Sequence, residues 1–426
     1  MSLNKLTFFI GIIISLLSSI CFFIYRSYEI IDFVNLFLLT NFVIGLTIIF
    51  LKKIRFIIFV NYFFSIIVIY SINFFLYFND IRKIENGTIL TQIYETEKER
   101  INNKNIWPSI TPSYLLNKNK LEIYPLGTFI NRNIILCEED KRIDIKTDKY
   151  GFNNFNEVYK FKKPNIILGD SYGFGGCVSH ENDFSYILNS LGIKNINLSI
   201  SGSSIIVQTA IFLEYVKNNI DYNEVYLFLS LENDIPESRN EANSYYNAYT
   251  QEYFVVQKLI KKENEINKFY EKQIENLKNY SFNLSSLRQL IFLINLRKYF
   301  GLISSNKEFA DRSGIMDNYY NPNLFKLNQI VGKDKLTVII IPSRHETLRL
   351  KNHKIFLNER KNLTQFLTNK NIKYIDLMNI FNQKNHDENR NLYTLNGNGH
   401  FNKNGHSKIA SFLFQRLSSK KSTKLN

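Results

Sequence analysis

Apolar residues crowd the start of the chain. Leu6–Tyr25, Phe33–Leu51 and Phe56–Phe78 each run without a charge. Each is about 20 residues, the length a helix needs to cross roughly 30 Å of hydrocarbon. The first run is too long for the core of a signal peptide and lacks a small-residue cleavage site. Three transmembrane helices within residues 1–80 are therefore expected. Lys52, Lys53 and Arg55 crowd the second loop, whereas Arg26 in the first is offset by Glu29 and Asp32. The positive-inside rule then places the N-terminus and the second loop in the cytoplasm. Everything after Phe78 follows on the outer, periplasmic or extracellular side.

After the spans the pattern changes twice. Residues 81–163 begin as a polar, helical stalk and continue as an irregular stretch with Trp107-Pro108, Thr111-Pro112 and short β-like runs such as Ile134–Leu136. A small β-rich preamble is expected there. From Pro164 the rhythm becomes strand then helix. Strands are expected at Asn165–Leu168, Asn195–Ile200, Glu224–Leu231, Leu336–Ile341 and Lys373–Leu377. Helices are expected at Asp183–Leu191, Ser204–Val216, Lys354–Thr368 and Gly405–Leu417. Such alternation predicts an α/β domain over 164–426, with a parallel sheet covered by helices on both faces. A long interruption at about 236–332, charged over Gln257–Lys278 and amphipathic over Leu287–Tyr299, reads as a helical insertion.

Composition adds little to this division. Lys and Arg number 53 against 38 Asp and Glu, a net charge of +15. A basic exterior suits acidic lipid headgroups or an acidic glycan, but a solvated surface accounts for it as well. No nucleic-acid motif is present, and no nucleic-acid partner is expected. Of the three cysteines, Cys21 falls in a membrane run. Cys137 and Cys177 could pair in an oxidising compartment. The chain has no P-loop, no dinucleotide fingerprint and no metal-ligand cluster, so no cofactor or metal is expected.

The candidate chemistry lies where strands end. The run Asn165-Ile166-Ile167-Leu168 stops abruptly in Gly169-Asp170-Ser171. A buried parallel strand delivers such a residue to the carboxyl edge of the sheet, where open α/β folds bind ligands. Ser171 then sits at a helix start, whose N–H groups can stabilise an oxyanion. Three further blocks follow in order: Gly202 after the second strand, Glu232-Asn233-Asp234 after the third, and Gly399-His400-Phe401-Asn402-Lys403-Asn404-Gly405-His406 before the last helix. Each has a plainer reading: Ser171 as a helix cap, Gly202 as a turn glycine, Asn233 as a capping residue, His400 as a surface histidine with His406 as its competitor. His180, His345, His353 and His386 lie in no motif and are expected to be structural, as is Asp170.

The order of the four blocks resembles the SGNH (GDSL-type) esterase and acyltransferase superfamily, over Asn165 to the C-terminus with the insertion excluded. The preamble's Tyr150-Gly151-Phe152-Asn153-Asn154 is similar to the lead-in of membrane-attached members. The resemblance implies a flavodoxin-like three-layer α/β/α domain with a parallel five-stranded sheet. It also implies that Ser171 is the nucleophile and His400 its base. The Ser171 and Gly202 N–H groups and the Asn233 amide would hold the oxyanion. Of the two histidines, the pattern His-x-Asn-x-x-Gly-His selects the first. Two positions depart from the family. Glu232 stands where the third block carries glycine. The aspartate expected two or three residues before the histidine is absent, Asn398 and Gly397 standing there instead. Asp387 and Glu388 are the candidates to replace it, since asparagine orients an imidazole without offsetting its charge.

The expected function is thus hydrolysis of an acyl ester by a membrane-anchored enzyme acting outside the cytoplasm. Two alternatives share the residues: O-acyl transfer to a cell-envelope glycan, and a catalytically impaired protein that binds the glycan. The expected partners are an acyl ester or O-acylated glycan and the lipid bilayer.

Overall fold

A computed structural model describes residues 3–25, 33–85, most of 92–137, 142–251, 256–278, 312–397 and 399–422, with Leu293. The chain divides into two compact units, Met1–Asn86 with Tyr280–Ser305, and Gly87–Asn279 with Asn306–Asn426.

The first unit contains helices Leu3–Tyr25, Phe33–Phe50 and Arg55–Glu85. Among the described residues one stretch, Arg55–Leu76, is a helix long and apolar enough to cross a membrane; Leu3–Ser19 and Leu38–Phe50 are shorter apolar helices. Phe63, Phe64, Phe74 and Phe75 on the long helix are exposed. The first loop and the amphipathic stretch Leu287–Tyr299, Leu293 apart, lie outside the described residues.

The second unit opens with a small sheet of β1 (Ile106–Trp107), β2 (Asn133–Cys137) and β3 (Ile143–Lys146), β1 parallel and β3 antiparallel to β2. The main sheet has five parallel strands: β4 (Asn165–Gly169), β5 (Asn195–Asn197), β6 (Val225–Ser230), β7 (Leu336–Ile341) and β8 (Lys373–Asp376). Their order is β5-β4-β6-β7-β8, so β4 lies between the strands that follow it in sequence. That is the doubly wound pattern, whose switch point puts a crevice at the carboxyl end of its first strand.

Alternate side chains of the sheet enter two separate cores, as the two-residue period of a strand requires. Ile166, Leu168, Leu227 and Val338 face one core with Ile205–Val216 and Leu324–Val331. Ile167, Tyr226, Phe228 and Ile339 face the other with Phe184, Leu188 and Ile409–Leu417. Helices therefore cover both faces, and the strands read as continuous apolar runs because both sides are buried.

β5 is three residues shorter than expected. Ser199 and Ile200 still run alongside β4, with the Ile200 N–H bonded to the Gly169 carbonyl at 3.0 Å. The chain leaves the ladder here to form the turn at Gly202. The interruption after β6 begins as a helix, Asp234–Ala242, and includes the helices Glu263–Lys278 and Asn321–Val331.

Candidate active site

β4 ends at Gly169, and Asp170 caps the single helical turn Ser171–Phe174 by accepting the Tyr172 N–H at 2.9 Å. The turn is tight because Gly173 lies against Ser199, where any Cβ would stand 2.6 Å from the Ser199 hydroxyl. Ser171 thereby emerges at the carboxyl edge of the sheet. Its Oγ lies 2.8 Å from Nε2 of His400, within hydrogen-bond reach.

His400 is held on several sides. Its carbonyl accepts from the Thr394 N–H at 2.8 Å and the Thr394 hydroxyl at 3.2 Å. Its ring lies 5.0 Å from that of Tyr172, which itself meets Phe401 edge-on. Behind it runs the backbone at Gly176, where a Cβ would come 3.4 Å from the imidazole Cδ2. Tyr172, Gly176 and Thr394 carry no motif in the sequence: the first two act through shape, and Thr394 through hydrogen bonds to the His400 carbonyl. His406 does not compete for the site. It is buried, its Nδ1 accepts the Phe184 N–H at 3.2 Å, and Asp183 lies 3.3 Å away. His180, His353 and His386 each bond a main-chain carbonyl, of Lys146, Leu350 and Thr347, while His345 stacks on Phe356.

The second and third blocks reach the same turn. Ser203 donates to the Gly169 carbonyl at 3.1 Å. Gly202 has φ +66°, a left-handed conformation that glycine adopts without strain. It is overlaid by the preamble: a Cβ at Gly202 would meet the Ser113 Oγ at 2.6 Å, and that hydroxyl is bonded to Thr111 at 2.8 Å. Sequence reasoning missed Thr111 and Ser113, which lie 89 and more residues before the glycine they cover. Asn233 donates from Nδ2 to Oδ2 of Asp170 at 3.2 Å. Asp170 is fully buried, and burial pushes its carboxyl up to about 6 against the opposing pull of the Tyr172 N–H, His400 and Asn233.

Glu232, the departure from glycine, has a partner of its own. Arg344 grips both of its oxygens, with Nε 3.1 Å from Oε2, and the Arg344 N–H also donates to it. Burial alone would raise this carboxyl, but the Arg344 fork outweighs it and holds it below its usual value. The pair ties the third block to the loop after β7.

The acid expected from Asp387 or Glu388 is not delivered by either. Asp387 is 88% exposed and pairs with Arg390 at 3.3 Å. The Glu388 oxygens accept from Asn382 and Asn385 at 2.7 and 2.9 Å. Both carboxylates face solvent, where local partners satisfy them. Asn398 lies outside the described residues. Asp170, adjacent to the nucleophile, has its carboxyl pulled down by His400 against the effect of burial.

The preamble's Tyr-Gly-Phe-Asn-Asn motif buttresses this edge. Asn153 donates to the Phe174 carbonyl at 2.7 Å, at the end of the nucleophile turn. Asn154 both donates to and accepts from the Asn197 backbone, at 2.7 and 3.0 Å, extending the sheet with a side-chain amide. Cys137 and Cys177 form a disulfide that joins the end of β2 to the loop following Gly176. Among the described residues, no group of three or more His, Cys, Asp or Glu side chains could hold a metal ion.

No family model and no curated protein matches the chain. Among solved structures it is similar to a member of the lipolytic protein G-D-S-L family from Veillonella parvula DSM 2008. That likeness has 13% identity and a TM-score of 0.31, covering 58% of this chain and 94% of that one. It is also similar to the lipase/acylhydrolase from Enterococcus faecalis, at 12% identity and TM-score 0.33, covering 60% and 96%. At such distance neither likeness carries an argument about activity.

Proposed function

We propose that the chain is a membrane-anchored serine hydrolase of acyl esters that works through an acyl-Ser171 intermediate. The observation that carries this reading is the 2.8 Å contact between Ser171 Oγ and His400 Nε2 at the carboxyl edge of a parallel sheet. His400 takes the Oγ proton as Ser171 attacks the ester carbonyl. The N–H groups of Ser171 and Gly202 and the second Nδ2 proton of Asn233 receive the oxyanion. The tetrahedral intermediate collapses, His400 returns the proton to the departing alcohol, and the acyl group stays on Ser171. Water, deprotonated by His400, then releases the acid. The buried Asp170 offsets part of the imidazolium charge, in place of the aspartate the sequence lacks. The same steps with a sugar hydroxyl in place of water give acyl transfer.

The charge-free runs within residues 1–80 support three spans, and the basic second loop supports a catalytic unit outside the cytoplasm. The Cys137–Cys177 disulfide favours the same side, because such bonds persist in oxidising compartments. The unit is read as a preamble over 81–163 and an SGNH-like domain over 164–426.

A fluorophosphonate probe tests the chemistry. Labelling of the full chain is expected, with its loss in Ser171→Ala and strong reduction in His400→Ala. Absence of labelling in the wild type would leave the glycan-binding alternative as the better one.

A further inference from the structure

The ladder between β6 and β7 ends at the pair Ser230 and Ile341, and the Leu231 N–H adds a last bond to the Ile341 carbonyl at 3.3 Å. The helix Asp234–Ala242 begins three residues later. Asn233 therefore sits on a turn beyond the ladder. Its amide can serve an oxyanion only while that turn keeps its shape, since a misplacement of about 1 Å can cost about 10²-fold in rate.

The carbonyls of the turn are bonded to Arg312. Its Nη2 donates to the Leu231 carbonyl and its Nη1 to the Glu232 carbonyl, the latter at 3.4 Å. The guanidinium also meets Glu359 on the helix His353–Asn369, with Nη2 3.0 Å from Oε2 and Nε bonded to Oε1. The Phe356 ring centroid lies 4.7 Å from its Cζ. Arg312 and Glu359 are both buried. Burying such a pair gains little stability over apolar side chains of the same size, so stability alone is a poor account of it. The contacts themselves need arginine. Its planar fork of five donors reaches a carboxylate and two carbonyls at once, which the compact ammonium of lysine cannot do.

The third block is thus held twice, from two distant segments. Arg344 grips the Glu232 side chain. Arg312 bonds the peptide groups before and after Glu232, and the second of these leads directly into Asn233. Arg312 comes 80 residues after Glu232, in the insertion that lies outside the resemblance to the SGNH superfamily.

We propose that Arg312 is a positioning residue: it sets the turn that presents the Asn233 amide to the oxyanion, so that the insertion completes the site. The inference rests on the acyl-ester reading, and the test separates the two. In full-chain protein in detergent, Arg312→Lys keeps a cation beside Glu359 but loses the fork. Arg312→Met/Glu359→Gln removes both charges together and leaves no buried ion unpaired. Each is expected to lower kcat for p-nitrophenyl acetate by about tenfold or more, with KM within about twofold. In the Asn233→Ala background each is expected to change kcat by no more than about twofold, because the amide it positions is gone. A role in stability alone lowers kcat by the same factor in both backgrounds.

A second readout needs no turnover. In the full chain isotope-labelled at its asparagine side chains, the NMR signal of the Asn233 NH₂ is identified by its loss in Asn233→Ala, and Arg312→Lys should shift it. Should the double variant unfold, Arg312→Lys and this signal decide. Equal kcat losses with and without Asn233 would overturn the proposal, as would an unchanged kcat or an unshifted signal in Arg312→Lys. If the wild type hydrolyses no ester and takes no fluorophosphonate, a shifted signal upholds the positioning while the catalytic reading falls, and an unshifted one overturns both.

Discussion

Asn233 hangs by its Nδ2 from Oδ2 of Asp170, 3.2 Å away, so the amide beside the nucleophile is oriented by the carboxylate that precedes it in the chain. One Nδ2 proton is committed to that contact, and the proposed mechanism assigns the other to the oxyanion. Asn233→Ala should therefore lower kcat by about 10²–10³, the usual loss of one oxyanion donor, with a smaller change in KM. Steady-state kinetics on an activated ester checks this. A fall in KM-controlled binding alone would place Asn233 outside the transition state.

Burial raises four clustered carboxyls: Asp170 to about 6, Glu241 to about 7, and Asp234 and Glu237 well above their usual values. In each, the folded pKa exceeds the unfolded one, so the folded state binds more protons between the two. The stability they contribute is fully present below about pH 4 and is lost as pH rises through the folded values. For Asp170 and Glu241 that window runs from about 4 to about 7. Glu237→Gln, which needs no proton, should gain in Tm relative to wild type as pH increases from 5 to 8. A constant difference in Tm between the two proteins across that range would count against a raised Glu237.

Glu241 is also the cap of a buried helix. Its carboxylate accepts the N–H groups of Ser204, Ile206 at 2.9 Å and Val207 at 3.2 Å, at the start of Ile205–Ile211. Glu241→Ala leaves those donors buried and unpaired, and about 2–4 kcal/mol of stability should be lost. Denaturant unfolding of the unit formed by Gly87–Asn279 and Asn306–Asn426, within the full chain, measures it. Because Ser204 precedes this helix by one residue, the Gly202 turn should loosen and activity should fall with it.

Gly202→Ala meets two obstacles, the positive φ and the Ser113 hydroxyl 2.6 Å from its Cβ. A loss of about 1–2 kcal/mol is expected from the backbone alone. Adding Ser113→Gly should restore only the steric part. Full rescue by the double variant would show that the left-handed backbone costs nothing here.

With Asp387 and Glu388 engaged in solvent, Asp387→Asn and Glu388→Gln should change turnover by no more than about twofold, as surface substitutions do. Asn398→Asp restores a carboxylate near the histidine in sequence and should raise kcat by about tenfold or more, given the scale of such groups. A large loss in Asp387→Asn would instead return the acid to that loop. Separately, Cys137→Ser/Cys177→Ser opens a loop of 40 residues and should cost about 3–4 kcal/mol.

The strand–turn junctions were legible because they are local. An apolar run ending in Gly169-Asp170-Ser171, or a histidine two residues ahead of Asn402, needs only a few neighbouring residues to declare itself. The five-stranded parallel sheet followed from the same short-range rhythm, with one error at β5, where the ladder ends before the apolar run does. The supporting contacts were not legible, because each joins segments far apart in sequence. Asp387 looked suitable by proximity alone, yet a solvent-facing carboxylate is satisfied by Arg390 and has no reason to turn inward.

By itself the sequence determined the charge-free runs, the α/β order and the residues at strand ends, since periodicity and turn chemistry act over a few residues. Only the tertiary structure decided which groups meet: Asp170 with Asn233, Glu232 with Arg344, and Ser113 with Gly202. The physical reason is that burial and pairing depend on what the folded chain brings together. A carboxyl's charge state and a glycine's necessity are properties of that surrounding, which no single stretch of sequence contains.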